Sequence, residues 1–168
     1  MTAPPIEFLP ASVPWGPRST STRSASSSSN TDPLIEPLGD YGGPIETIAK
    51  VVNGAGGSWS ARGTILFAPD RGGPLYEVPE RGGEPVAVST LDRSRGQRAH
   101  LWPSFLPDGR RFVYFASSDD PAQRGLYLGE SGSPDARWLA MADGAGLWAA
   151  PRHLLFTRKG MLVAQAVD

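Results

Sequence analysis

Few side chains in this sequence have the type and spacing that catalysis or metal binding requires. The chain has two histidines, His100 and His153, and no cysteine, which excludes a thiolate nucleophile and a cysteine-containing zinc site. No acidic residues cluster at ligand spacing from either histidine. We therefore predict a non-enzymatic protein with no catalytic residue, no metal site and no bound cofactor.

Three short motifs match known chemical patterns only in part. The segment 144–149 fits the Gly-x-Gly-x-x-Ala pattern of dinucleotide sites, but that pattern needs a following helix, and Pro151 and an apolar strand-like run follow it. The segment 129–133 lacks the second glycine of a nucleophile elbow. Asp119 and Asp120 offer two carboxylates, whereas Ca²⁺ takes six to eight oxygen ligands. We interpret the first motif as a junction between two repeat units and the other two as turns.

Arginine supplies the most plausible binding surface. The chain has 14 arginines and two lysines, and Arg93, Arg95 and Arg98 cluster near His100 between two strand-like runs. Guanidinium groups bind carboxylates and phosphates in a bidentate manner, and loops commonly carry binding function. Arg93, Arg95, Arg98 and His100 therefore form a candidate partner-binding loop, in which His100 is expected at the surface. The alternative is a charged loop with no partner.

Composition limits the fold and the class of partner. The 168 residues include 20 glycines and 17 prolines, a density that disfavours long helices. A net charge of −1 gives no overall attraction to nucleic acid. The sequence has no signal-peptide pattern and no apolar stretch of about 18 residues. As it stands the chain is expected in the cytoplasm, or in the periplasm if it belongs to a longer exported or membrane-anchored protein.

Short apolar runs predict an all-β fold of about ten strands. Residues 1–32 are rich in proline and serine, and this composition is typical of disorder. From Pro33 onward, runs of four to six residues rich in β-branched and aromatic residues alternate with Gly, Pro, Asp and Ser. The predicted strands are 33–38, 44–49, 64–68, 75–78, 85–89, 111–116, 126–128, 136–140, 154–157 and 161–164.

An internal repeat organises these strands. Trp59, Phe105 and Trp148 are 46 and 43 residues apart, and each is followed by a turn, an apolar strand, a second turn and a leucine-containing strand. Units of about 40–45 residues with four antiparallel strands are typical of propeller blades. We expect the three aromatic side chains to lie in the core between blades.

The repeat resembles a known family. The segment 102–115, with Leu106-Pro-Asp-Gly109, is similar to the TolB-like or WD40-like bacterial propeller repeat, as is the segment 57–68. In that repeat an aromatic residue and Ser-Pro-Asp-Gly precede an apolar strand. Residues 56–168 resemble the propeller region found C-terminal to the kinase domain of bacterial Ser/Thr protein kinases, but no kinase motif is present.

The resemblance implies a partial β-propeller over residues 33–168. Residues 33–53 would end a preceding blade, 56–92 and 100–143 would be blades, and 146–168 an incomplete blade that lacks its fourth strand. Two chains could exchange strands and form a homodimer in which the run 44–49 completes the partner's last blade. The alternative is a truncated, open piece of a longer propeller.

We expect a binding or sensing module, part of a larger protein, that recognises a protein or a small ligand through its loops. The alternative function is an accessory propeller of an enzyme, either the sensor region of a Ser/Thr kinase or the gating propeller of a peptidase.

Overall fold

In the part of the chain that the structure describes, eleven strands form three antiparallel sheets that follow one another along the sequence. The computed structural model describes residues 46–149 and 151–167, and no α-helix occurs among them. The first sheet contains β1 Gly57–Trp59, β2 Thr64–Phe67, β3 Tyr76–Pro79 and β4 Val86–Ala87. The second contains β5 Gln97–Phe105, β6 Arg111–Ser118, β7 Gly125–Glu130 and β8 Ala136–Met141. The third contains β9 Gly146–Ala149, β10 His153–Arg158 and β11 Met161–Ala166. The prediction of an all-β fold is confirmed.

Within each sheet, strands that are neighbours in the sequence are also neighbours in space. The orders are β1-β2-β3-β4, β5-β6-β7-β8 and β11-β10-β9. A glycine with positive φ ends the first turn of the first two sheets, Gly63 at 77° and Gly109 at 66°. In the second of these turns the Gly109 N–H donates to the Leu106 carbonyl, and Asp108 accepts from the backbone N–H groups of Arg110 and Arg111. The turn residues noted in the sequence therefore close hairpins.

The sheets pack face to face in chain order, and this packing forms the core. Each sheet has a front face, which in the second and third sheets contacts the preceding sheet, and a rear face on the opposite side. In the first sheet, the front face is the side that carries the equivalent residue positions. Leu66 and Leu75 on the rear face of the first sheet are 0% exposed. Leu126 on the rear face of the second sheet is also 0% exposed, and it lies against Gly146 of the third sheet.

Aromatic rings cross the front face of the second sheet. Consecutive ring centroids in this row are 5.1–6.1 Å apart. The row consists of Phe105, Phe112, Tyr114, Tyr127 and Trp138. The ring contacts bring apolar area from all four strands of the sheet together.

Hydrogen bonds between the first two sheets fix their relative register. The Phe105 N–H donates to Ser58 Oγ at 3.0 Å, and Ser60 Oγ donates to the Gly109 carbonyl at 2.9 Å. Ser131 Oγ and the Glu77 carboxylate form a third bond. Each bond joins two residues that are about one repeat length apart in the sequence. The same repeat that organises the strands therefore also places the groups that bond between sheets.

The observed burial of Trp59 and of His100 differs from the predicted burial. Trp59 is 62% exposed, so the prediction that all three repeated aromatic residues lie in the core is wrong for this residue. Phe105 and Trp148 are partly buried. His100 was expected on a loop surface but is 1% exposed, because β5 begins at Gln97 and carries it into the interface between the first two sheets.

Residues 46–49 do not form a strand within this chain, contrary to the strand predicted at 44–49. They lie against the front face of the first sheet instead. Ile48 and Val51 line a cavity of about 430 Å³ together with Ile65, Phe67 and Val78 of that sheet. The segment predicted to be disordered, 1–32, and the strand predicted at 33–38 lie outside the described residues.

Removal of the Leu126 side chain should strongly destabilise the protein. Leu126→Ala empties a site that is sealed between the second and third sheets, and the expected loss of unfolding free energy is about 2–5 kcal/mol. Val86→Ala is the control, because Val86 is 62% exposed, and its effect should stay within about 0.5 kcal/mol. Urea unfolding measures both, and equal losses would contradict the packing of the third sheet on the second.

Candidate binding cleft

The arginine loop is a short capped turn whose guanidinium groups contact residues of this chain. Arg93–Arg95 forms a 3₁₀ turn, and the Asp92 carboxylate accepts from the backbone N–H groups of Ser94 and Arg95. The Arg95 side chain pairs with Asp92 at 3.1 Å, and the Arg98 side chain pairs with Asp119. Both arginines are thus paired with an acidic residue on the protein surface.

Hydrogen bonds and nearby positive charge lower the pKa values of both acidic partners. The hydroxyl of Ser94, followed by backbone N–H groups and the Arg95 charge, lowers the pKa of Asp92. The hydrogen bond from Arg98, together with its charge, lowers the pKa of Asp119. Arg93, Arg95 and Arg98 are exposed, and carboxylates beside Arg95 and Arg98 offset much of the charge of these two. Partner binding by this loop stays a prediction, and its mixed charge does not favour an anionic partner.

His100 belongs to a buried hydrogen-bond network. Its Nδ1 lies 2.8 Å from Ser89 Oγ, and its Nε2 lies 3.1 Å from Gln97 Oε1. Gln97 Oε1 also accepts from the Asp92 N–H, and Ser89 Oγ accepts from the Leu75 N–H. An amide oxygen only accepts, so the imidazole carries its proton on Nε2, and Ser89 donates to Nδ1.

This network joins two sheets, and it does not arrange Ser89 as a nucleophile. Ser89 follows the last strand of the first sheet and His100 lies on β5, so the hydrogen bond joins the two sheets. The ring of His100 also packs on Tyr114 with centroids 4.5 Å apart. Burial lowers the pKa of His100 to about 4, and the neutral ring is the form that this network accommodates.

The repeated aromatic residues converge on one cleft. Trp59, Phe105 and Trp148 come from β1, β5 and β9, the first strands of the three sheets. All three line a cleft of about 360 Å³, and its remaining lining residues are Ser58, Ser60, Ala61, Ser104, Leu106, Pro107 and Leu147. The cleft therefore has aromatic and aliphatic walls, a few hydroxyl groups and no charged side chain. This composition suits an uncharged, apolar occupant.

Two indole groups differ in their hydrogen bonds. The Trp59 Nε1 donates to Glu80 Oε2 at 3.2 Å, which holds this exposed ring in place at the cleft. Trp148 Nε1 is the one buried polar side-chain atom in the described part of the chain that has no hydrogen-bond partner. An unpaired buried donor costs about 1–3 kcal/mol.

Sequence reasoning located these three residues but interpreted them as core. The signal that could have identified the cleft was their position, because equivalent residues on the first strands of successive sheets meet at one place. The structure places two of the other motifs in a strand and a capped turn. Residues 146–149 of the dinucleotide-like motif are strand β9, and Asp120 caps the turn Pro121–Gln123.

Neither a cluster of metal ligands nor a membrane-spanning helix occurs among the described residues. Residues 46–149 and 151–167 contain no group of three or more His, Cys, Asp or Glu side chains that could hold a metal ion. The same residues include no helix long and apolar enough to cross a membrane.

Acid should destabilise the protein through His100. The unfolded chain protonates this residue near its ordinary pKa of 6.5, whereas the folded chain does so only near pKa 4. Between these values the unfolded state binds more protons, so unfolding free energy falls as the pH decreases, by roughly 3 kcal/mol from pH 7 to 4. Well above pH 6.5 His100 is neutral in both states, so its protonation does not lower the unfolding free energy there.

The matched variant is His100→Gln, which keeps polar atoms but cannot titrate. Urea unfolding of both proteins at pH 7 and pH 4 separates the His100 effect from carboxylate protonation, which is common to both. The variant should lose about 3 kcal/mol less than the parent over this range. An identical loss in the two proteins would contradict a neutral, buried His100.

Comparison with known proteins found no match for this chain among protein-family models, curated proteins or solved structures. The resemblance to TolB-like or WD40-like repeats therefore stays a prediction, and function has to be inferred from the residues and their geometry.

Proposed function

We propose that this chain is a non-enzymatic binding module, built as part of a β-propeller, whose central cleft receives an apolar side chain of a partner protein. One observation carries the proposal, namely that Trp59, Phe105 and Trp148 occupy equivalent positions in three sheets and line a single cleft. The repetition of one strand order in successive sheets supports the propeller architecture.

The lining of the cleft sets the chemistry of the occupant. Aromatic faces favour another ring by stacked or edge-to-face contact, and each such pair contributes about 0.5–1.5 kcal/mol beyond burial. The hydroxyls of Ser58 and Ser60 already bond to groups of the second sheet. These hydrogen bonds hold the lining of the cleft in place before an occupant binds. Less conformational entropy is then lost on binding.

Binding can be followed with a neutral aromatic probe. N-acetyl-phenylalaninamide presents a ring on an uncharged backbone, and ¹⁹F NMR of the chain labelled with 5-fluorotryptophan reports each indole separately. Titration should shift the Trp59 and Trp148 signals in a saturable manner. The Trp138 signal serves as the internal control, because Trp138 lies on β8 and does not line the cleft.

Substitutions test the assignment of the cleft. Trp59→Ala removes an exposed side chain, so the variant should fold while its affinity for the probe falls at least tenfold. Trp138→Ala is the matched control and should leave the affinity unchanged. Shifts that are equal at all tryptophans, or none at saturating probe, would refute the cleft as a binding site.

A further inference from the structure

The rear face of the third sheet is apolar and uncovered in the described chain. Leu147, Leu155 and Ala164 are cross-strand partners on β9, β10 and β11, so their side chains share one face. Leu162 pairs with Thr157 and lies on the same face. Leu147 is 59% exposed and Leu162 is 71% exposed. Apolar side chains with this degree of exposure, grouped on one sheet face, indicate a contact surface.

Equivalent positions in the other two sheets show what covers such a face. Leu75 and Leu126 occupy the position of Leu162 at the start of the third strand, and both are 0% exposed. Leu66 and Val113 occupy the position of Leu155 and are 0% and 2% exposed. In each case the next sheet in the chain provides the cover. The rear face of the third sheet thus has the composition of a surface that receives another sheet.

The front face of the first sheet offers a matching surface. Residues 46–51 lie against Phe67 and Val78 and leave a cavity there. One repeat later, Val88 and Ser89 lie against Phe112 and Tyr114 in the same way. Those two residues follow directly on β4, the last strand of the sheet that precedes. Residues 46–49 therefore take the place of a fourth strand whose own sheet is missing from the described chain.

The sequence supports the same equivalence. Gly-Gly precedes both segments, at 42–43 and at 82–83, and with this alignment residues 46–49 correspond to Val86–Ser89. The third sheet has three strands in the described chain and ends at β11, whereas each of the other two has a fourth strand at that edge. Within the described residues, the third sheet thus lacks a fourth strand, and the segment 46–49 has the position of a fourth strand but no sheet of its own.

We propose that two copies of this chain dock head to tail. The rear face of the third sheet of one copy packs on the front face of the first sheet of the other, and residues 46–49 of the second copy pair with β11. The new interface continues the two sheet-to-sheet interfaces already present in the chain. Two copies contribute six sheets, within the range of four to eight in closed propellers.

The register of this pairing follows from the first sheet. Glu77 on β3 pairs with Val86 on β4. Ala164 is the equivalent of Glu77, because Leu66 pairs with Glu77 as Leu155 pairs with Ala164. Glu46 is the equivalent of Val86 in the alignment above. Glu46 of one copy should therefore lie opposite Ala164 of the other, and both residues are exposed in the single chain.

Cysteine cross-linking tests this pair, because the chain contains no cysteine of its own. Glu46→Cys and Ala164→Cys chains are co-expressed and oxidised, and the expected product is a disulfide-linked heterodimer. The control co-expresses Glu46→Cys with Arg137→Cys, an exposed position on the edge strand β8, and should give no such product. Equal cross-linking in both mixtures, or only links between identical variants, would overturn the proposal.

The oligomeric state provides an independent test. Light scattering on the parent chain should give twice the mass of one chain, and Leu162→Asp should convert it to a monomer with unchanged circular dichroism. Val86→Asp is the matched control, a charge at a strand position that is 62% exposed, and should remain dimeric. A parent chain that is monomeric or forms open-ended aggregates, or a dimer that Leu162→Asp leaves intact, would refute head-to-tail docking.

Discussion

The close packing of the third sheet on the second depends on the absence of a side chain at residue 146, because any Cβ there would force the buried Leu126 side chain to shift. A Cβ atom at Gly146 would lie 2.7 Å from Leu126 Cδ1, closer than real Cβ contacts come. Without that close packing Leu126 would lose its cover, and β9 would carry Trp148 away from Trp59 and Phe105. Because the cleft is made by the first strands of three separate sheets, its shape depends on how closely these sheets stack. Close packing between sheets is thus the constraint on which both stability and the proposed binding site depend.

Polar groups in the first interface add specificity to this packing. Ser89, Gln97 and His100 satisfy one another and two backbone N–H groups in a place where water has little access. A buried network of this kind penalises any shift in register, because each shift would leave donors and acceptors unpaired. The second interface, between the second and third sheets, is formed mainly by apolar side chains such as Leu126 and Leu154. Buried hydrogen bonds therefore fix the first interface, whereas apolar packing fixes the second.

Local pattern predicted the strands well and burial less well. The run 111–116 corresponds to β6 Arg111–Ser118, because alternation and turn residues are properties of a short segment. Burial of His100 was missed since its partner Ser89 is eleven residues away, beyond a charged loop. Trp59 looked like Phe105 and Trp148 in the sequence, but only those two have a preceding sheet in the described chain. The exposure of a repeated residue depends on its neighbours in space, which a repeat alone does not specify.

The sequential strand order has a consequence for how the chain acquires its fold. Every strand pairing in residues 46–149 and 151–167 joins strands that are adjacent in the sequence, so each sheet requires only short loops to close. A shorter sequence separation between paired strands favours faster folding. Each finished sheet then presents a rear face on which the next can assemble, much as units add to one another in repeat proteins. The polypeptide can therefore gain its structure progressively from its N-terminal side during synthesis on the ribosome.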